Sequence, residues 1–259
     1  MNLTSTFRSQ NTFRNLATAA LLALASLMPA AAQTPDKAAI EAVIKDYLLK
    51  NPEVIQEAMV ELERRQKEAE AAAVKKITAD PKSPLYTSEH HTVVGNPNGD
   101  VTLVEFFDFN CGFCKKGLAD IVKVIETDKN VRVIFKEFPI LAPGSRDASI
   151  VALALREQFD KDKLLKFHVN LLNAKGSIGK ELALGVAKDM GADLKKLEVA
   201  MASPGIPLAL EESKLLADAL GINGTPSYIV AEDLVVGARG YGELQKRIAS
   251  WRQCKKAEC

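Results

Sequence analysis

The sequence lacks an excess of charge of either sign: 34 Lys and Arg face 33 Asp and Glu. A chain so balanced has no electrostatic footprint for nucleic acid, which is therefore not an expected partner. It also lacks a long apolar run. The stretch from Leu16 to Met28 falls short of the roughly 20 residues a helical membrane span needs, and no later segment is long and apolar enough. Histidine is scarce, with three in the chain, and so is cysteine, with four. A structural zinc site needs four ligands. His90, His91, His168, Cys254 and Cys259 do not lie at zinc-ligand spacing from the remaining cysteines, so no resident metal is expected. Glycine is absent between Asp36 and Thr78, which points to a largely helical stretch there.

What is present begins with an address. Arg8 and Arg14 precede the Leu16–Met28 run, and Pro29-Ala30-Ala31-Ala32 follows it. A basic start, a short apolar centre and a small-residue cleavage site read as a secretory signal peptide over residues 1–32. Its removal takes two arginines and no acid, so the net charge moves from +1 to about −1. The n-region has no twin-arginine pair, and a bacterial periplasm is the natural destination. Outside the cytosol, cysteines pair, bind metal or act as redox catalysts.

Residues 33–80 are expected to form a helical extension, set apart from a domain over 81–259. Ile40, Val43, Ile44, Tyr47 and Leu48 share one helical face, and Asn51-Pro52-Glu53 reads as a helix restart with Asn51 as N-cap. Beyond it Ile55, Met59, Leu62, Gln66, Ala69 and Ala73 alternate four and three apart. This heptad seam favours self-association over a helix that lies on its own domain. A connector rich in Pro, Ser, Asn and Gly follows, with a short strand near Thr92–Val94. The run Val101–Phe107, a helix from Lys115 to Thr127 and the strand Val131–Phe135 make a βαβ unit with parallel strands. Helices then dominate from about residue 145 to 220, before strands at Ser227–Ala231 and Leu234–Ala238 and a closing helix at Gly242–Gln253.

Cys111-Gly112-Phe113-Cys114 lies where a strand ends and a helix begins. Unpaired N–H groups and the helix dipole favour a thiolate there, so Cys111 should ionise more readily than a free thiol. Two intervening residues let one helical turn bring the sulfurs together. Cys111, first and more exposed, is the expected nucleophile, with Cys114 as the resolving thiol. Haem attachment would require His after the second cysteine, where Lys115 stands. The competing readings are two thiolates that hold Cu(I), with His90 and His91 as further copper candidates, and an inert bridge in an assembly protein. Lys115 and Lys116 read as a solvated helix face, and His168 as a packing residue. Cys254 and Cys259 are expected to form a structural disulfide that pins the C-terminus.

The stretch Val104-Glu-Phe-Phe-Asp-Phe-Asn-Cys-Gly-Phe-Cys114, with Gly224-Thr225-Pro226-Ser227 before a later strand, resembles DsbA-like proteins over roughly Val93 to Trp251. The resemblance implies an α/β thioredoxin fold with a helical insertion, preceded here by the N-terminal helical extension. That extension resembles suppressor-of-copper-sensitivity protein C relatives, in some of which it makes a homotrimer. The family places the proline corresponding to Pro226 in a cis peptide beside the active site, where Thr225 and Pro226 would present backbone groups to a client. It also carries a buried acid at the position of Glu105, a candidate base for Cys114, against the alternative of an acid reaching water from the strand end. Gly112 and Phe113 would support the site, and Phe113, Phe109 and Ile140 would offer an apolar client surface. No organic cofactor is implied. The implied partners are unfolded or misoxidised exported proteins and a membrane redox partner of DsbD or DsbB type. Phe113 cannot donate a hydrogen bond as the histidine of strong oxidants does, and Thr225 before the proline resembles disulfide isomerases. Both features favour isomerase or reductase over a disulfide-donating oxidase.

Overall fold

The computed structural model describes residues 36–256 and Cys259; the expected signal segment lies outside them. Two compact units divide between Glu61 and Leu62. In the first, α1 (Lys37–Lys50) opens on Asp36, whose carboxylate accepts the Ala38 N–H. Ile40, Val43, Ile44 and Tyr47 are all exposed. Asn51 meets the following helix only through its carbonyl, which accepts the Val54 N–H at 3.2 Å. Its amide nitrogen and backbone N–H both donate to the Tyr47 carbonyl, so it closes the end of α1. An amide can serve either terminus, because it carries a donor as well as an acceptor. The unit boundary falls within α2 (Glu53–Thr78).

The second unit is built on a five-stranded sheet in the order β1-β3-β2-β4-β5, comprising β1 (Thr92–Gly95), β2 (Val101–Phe107), β3 (Val131–Glu137), β4 (Ser227–Val230) and β5 (Asp233–Val236). β2 and β3 run parallel, with Val104 opposite Ile134, and the other pairs are antiparallel. The crossover between them is α4 (Gly112–Thr127). Its Leu118, Ile121 and Val124 bury against the sheet face that carries Leu103 and Phe107. Leu244 and Ile248 of α10 (Tyr241–Cys254) join the same core. The opposite face, with Val104, Phe106, Ile134 and Ile229, is covered by Leu216 and Ala217 of α9 (Gly205–Ala219) and by Leu220, which caps it. Alternation along each strand therefore feeds two cores, the outcome expected for a central strand buried on both sides.

The connector contains an element that its composition does not announce, α3 (Pro84–Thr87). Leu85 is fully buried in the second core, and Lys136, only 1% exposed, reaches the Pro84 carbonyl and the Glu212 carboxylate. Ser88 donates to the same carboxylate at 2.7 Å. The helical insertion comprises α5 (Pro143–Ala154), a 3-10 turn at Leu155–Glu157, α6 (Lys161–Asn173), α7 (Lys180–Asp189) and α8 (Leu194–Met201). α6 and α8 start on Asp160 and Asp193, whose carboxylates accept N–H groups of their first turns.

Two histidines are buried without compensating charge. His168 of α6 stacks on Phe135 at 4.0 Å and meets Phe107 edge-on at 4.6 Å, and its Nε2 has no partner. Burial pushes it from 6.5 down to about 3. His91 falls to about 3 through burial and the neighbouring Lys136, Arg132 and Arg156. Unfolding frees both to protonate, so each withdraws stability as pH falls below 6.5. Buried Glu105 and Glu137, pushed up to about 8 and about 7 by burial, act oppositely and withdraw stability as pH rises above 4.5. His168→Leu should therefore lose less stability between pH 7 and pH 4.5 than the parent, by about 2 kcal/mol. Urea midpoints at the two pH values measure this, and equal losses would refute it.

Candidate active site

The cysteine pair is itself the opening turn of a helix. The expected start at Lys115 is too late: α4 begins at Gly112, with Cys111 as N-cap in extended conformation (φ −78°, ψ 117°). The Cys111 carbonyl accepts the Lys115 N–H at 3.1 Å. That closes the first turn without a capping side chain and leaves the Cys111 sulfur beside the unpaired N–H groups. Both cysteines are thiols here. Cys111 is 4% exposed and Cys114 is 0% exposed, so Cys111 is only slightly the more open of the two. Its sulfur lies 3.1 Å from the Thr225 carbonyl, under the loop whose Thr225-Pro226 peptide is cis.

Two chemically equal groups are driven apart here. Cys111 is pushed down to about 5, chiefly by its hydrogen bond with Cys114. Burial opposes this, while the Thr225 side chain and the N–H groups of Cys114 and Phe113 reinforce it. Cys114 moves strongly upward through the same hydrogen bond, its burial and the charge of Glu105. Glu105 is fully enclosed on the sheet face that carries Leu103 and Phe107, and burial pushes it up to about 8. It does not reach water from the strand end. A thiol held toward its thiolate, a neighbour held toward its protonated form and a buried acid pushed up to about 8 are thus gathered around one helical turn.

The turn before Cys111 is held by residues the sequence reading passed over. Asp108 is completely buried. Its carboxylate accepts N–H groups from Asn110 at 2.8 Å, Ile140 at 2.8 Å and Leu141 at 2.9 Å, and its carbonyl accepts the Cys111 N–H. Asn110 donates to Ser145 and to the Ile178 carbonyl and accepts the Ile178 N–H at 2.8 Å. The active-site turn is in this way stitched to the insertion. The signal for Asp108 and Asn110 was their place just before a helix N-cap; nothing in the sequence pairs them with residues 32 to 68 positions away.

The model of the DsbA-like thioredoxin domain matches residues 102–249. The chain belongs to the DsbA-like thioredoxin family. The model of the copper resistance protein ScsC N-terminal domain matches residues 36–69. A thioredoxin-like oxidoreductase from Silicibacter pomeroyi is 36% identical, with 67% of this chain and 98% of that one covered at a TM-score of 0.63. The thiol-disulfide exchange protein alpha-DsbA2 of Wolbachia pipientis is 31% identical, with coverage of 70% and 97% and a TM-score of 0.64. Proteus mirabilis ScsC in a compact conformation shares the fold at 24% identity, with coverage of 85% and 100% and a TM-score of 0.64. One curated relative, the Na(+)/H(+) antiporter NhaA 1 of Salinispora arenicola, is 25% identical over 138 residues, and the chain spans about a fifth of its length (21%). Among the described residues no helix is long and apolar enough to cross a membrane. The chain is a thiol–disulfide oxidoreductase of the DsbA and ScsC type.

Around the DsbA-like centre, Phe113 and Ile140 are 61% and 45% exposed. Phe109 is not part of that surface. It is buried edge-on against Phe107 at 4.9 Å, because its position in the turn points it into the core that holds His168. Lys115 donates to the Ala174 carbonyl at 3.1 Å, and Lys116 lies over the Phe113 ring. Gly112 has open space where a side chain would project. His91 is buried beside the Arg132 guanidinium, and among the described residues no cluster of three or more His, Cys, Asp or Glu is placed to hold a metal. Cys254, the last residue of α10, is joined to Cys259 in a disulfide.

The two thiols should therefore respond very differently to a probe. Alkylation of the reduced protein by iodoacetamide should modify Cys111 with a midpoint near pH 5 and leave Cys114 protected through neutral pH. Mass-resolved alkylation rates across pH 4 to 9 provide the measurement.

Proposed function

We propose that this chain is an exported disulfide isomerase or reductase for protein clients, with Cys111 as nucleophile, Cys114 as resolving thiol and Glu105 as its base. The observation that carries the reading is the opposite displacement of two adjacent thiols, held beside a cis Thr225-Pro226 loop. In the reduced enzyme the Cys111 thiolate attacks a client disulfide, and one client sulfur leaves as thiolate while the other becomes bonded to Cys111. A second client thiol can then displace Cys111, which completes an isomerisation and regenerates the thiolate. Otherwise Cys114 gives its proton to Glu105 and attacks the Cys111 sulfur. The second client thiolate leaves, the client is reduced by two electrons and the enzyme disulfide forms. A membrane reductant of DsbD type would restore the dithiol, and the chemistry needs no organic cofactor.

Several features support isomerisation. Phe113 offers no hydrogen bond to the thiolate, Thr225 stands before the proline, and exposed Phe113 and Ile140 provide an apolar landing surface. The unpartnered apolar side chains of the N-terminal extension suit assembly into a homo-oligomer, a trimer among the options, which would gather several active sites around one client. The signal-like residues 1–32 and the Cys254–Cys259 bridge suit the periplasm. One observation favours a second reading. A Cys111 pushed down to about 5 stabilises the reduced enzyme and thereby a disulfide-donating oxidase with a DsbB-type partner.

Equilibration of the mature protein with graded glutathione buffers separates the two. Isomerase or reductase action requires a potential nearer about −200 mV, whereas a value at or above about −120 mV would make the protein a disulfide donor. A pair that fails to exchange at all would overturn the redox reading. Light scattering tests the assembly: mature protein should be oligomeric, and a variant that starts at Pro81 should be a monomer that still reduces insulin but refolds scrambled substrates poorly.

A further inference from the structure

Tyr228 carries the buried hydroxyl that the active site does not explain. The side chain is 1% exposed, and its oxygen has no hydrogen-bond partner of good geometry. A phenylalanine would fill the same volume without an unpaired buried donor, a defect that ordinarily costs about 1–3 kcal/mol. The phenol's place is specific. Tyr228 lies directly opposite Glu105 in the β2–β4 pairing, so the two side chains share a sheet face. Gly117, one turn into α4, keeps the seat open: a methyl group there would stand 2.5 Å from the Tyr228 oxygen and 3.9 Å from Pro226. The ionisable groups facing the phenol are Glu105 from β2 and Cys114 and Asp120 from α4. α10 meets this core through Leu244 and Ile248.

We propose that Tyr228 is a positioning residue for Glu105, its hydroxyl held ready to donate to the carboxylate whenever Glu105 is ionised, and that Gly117 preserves the space this requires. The proposal rests on Glu105 acting as the base for Cys114. In the resolving step the Cys114 proton passes to Glu105, the Cys114 electron pair forms the bond to the Cys111 sulfur, and the client sulfur departs with the electrons of the broken bond. Tyr228 keeps its own proton throughout, because burial and the surrounding acids hold the phenol in its neutral form. Burial drives Glu105 toward its protonated form, and the phenol pulls it back. Without the hydroxyl, fewer molecules hold an ionised Glu105 at a given pH, and resolution slows.

The test uses reduced full mature protein and oxidised glutathione, with acid quench and mass detection of the Cys111–glutathione mixed disulfide. The rising limb of the resolution rate, centred near pH 8 in the parent, should move upward in Tyr228→Phe, with resolution at pH 7 about threefold to tenfold slower. The alkylation profile of Cys111 should stay in place, and Tyr228→Phe should add nothing in a Glu105→Gln background. Gly117→Ala, which crowds the oxygen but leaves it present, should move the limb in the same direction. An unchanged limb in Tyr228→Phe, or the same slowing in the Glu105→Gln background, would overturn the proposal and leave the redox reading intact. A parent protein that never forms the mixed disulfide would overturn both.

Discussion

The unequal treatment of two adjacent thiols organises this protein: Cys111 is held toward its charged form and Cys114 toward its neutral one. That requires surroundings that act differently on two identical groups. The start of α4 supplies the first condition with free N–H groups, and the enclosed seat of Cys114 against Glu105 supplies the second. The remaining architecture keeps that asymmetry in place. Parallel β2 and β3 aim the strand end at the helix start, Asp108 fixes the turn between them, and the Thr225-Pro226 loop closes over the sulfur.

The large pieces of this arrangement could be read from the residues because they are local. Val101–Phe107 is a strand with the limits its apolar run suggests, and Lys161–Asn173 is a helix with an aspartate in front of it. The cysteine spacing and its position between strand and helix are equally local. What stayed hidden depends on partners far along the chain. Asn110 looks like any polar turn residue until Ile178 arrives beside it. Lys136 looks like a surface residue on a strand until α9 brings Glu212 over it. Phe109 and Phe113 are alike in composition, and only the path of the turn sends one inward and the other out. Asn51 shows the same ambiguity on a smaller scale, since an amide between two helices has chemistry suited to both ends.

The N-terminal unit poses a different physical question from the domain that follows. The catalytic unit buries its apolar residues in two cores on either side of one sheet. The helix α1 has none buried. Its Ile40, Val43, Ile44 and Tyr47 stay exposed among the described residues, in the stretch that matches the model of the ScsC N-terminal domain over residues 36–69.

The contact of Asn110 with Ser145 and Ile178 makes the insertion and the redox motif a single inheritable part. Transplanting the Cys111–Cys114 segment onto a scaffold without those helices would deliver the right sulfur spacing and a turn with no anchor. Conversely, an exchange of the helical block between relatives would retune the chemistry from behind, with no letter of the motif altered. Chimeras in this family should therefore carry the stretch from Asp108 through the end of the insertion as one piece.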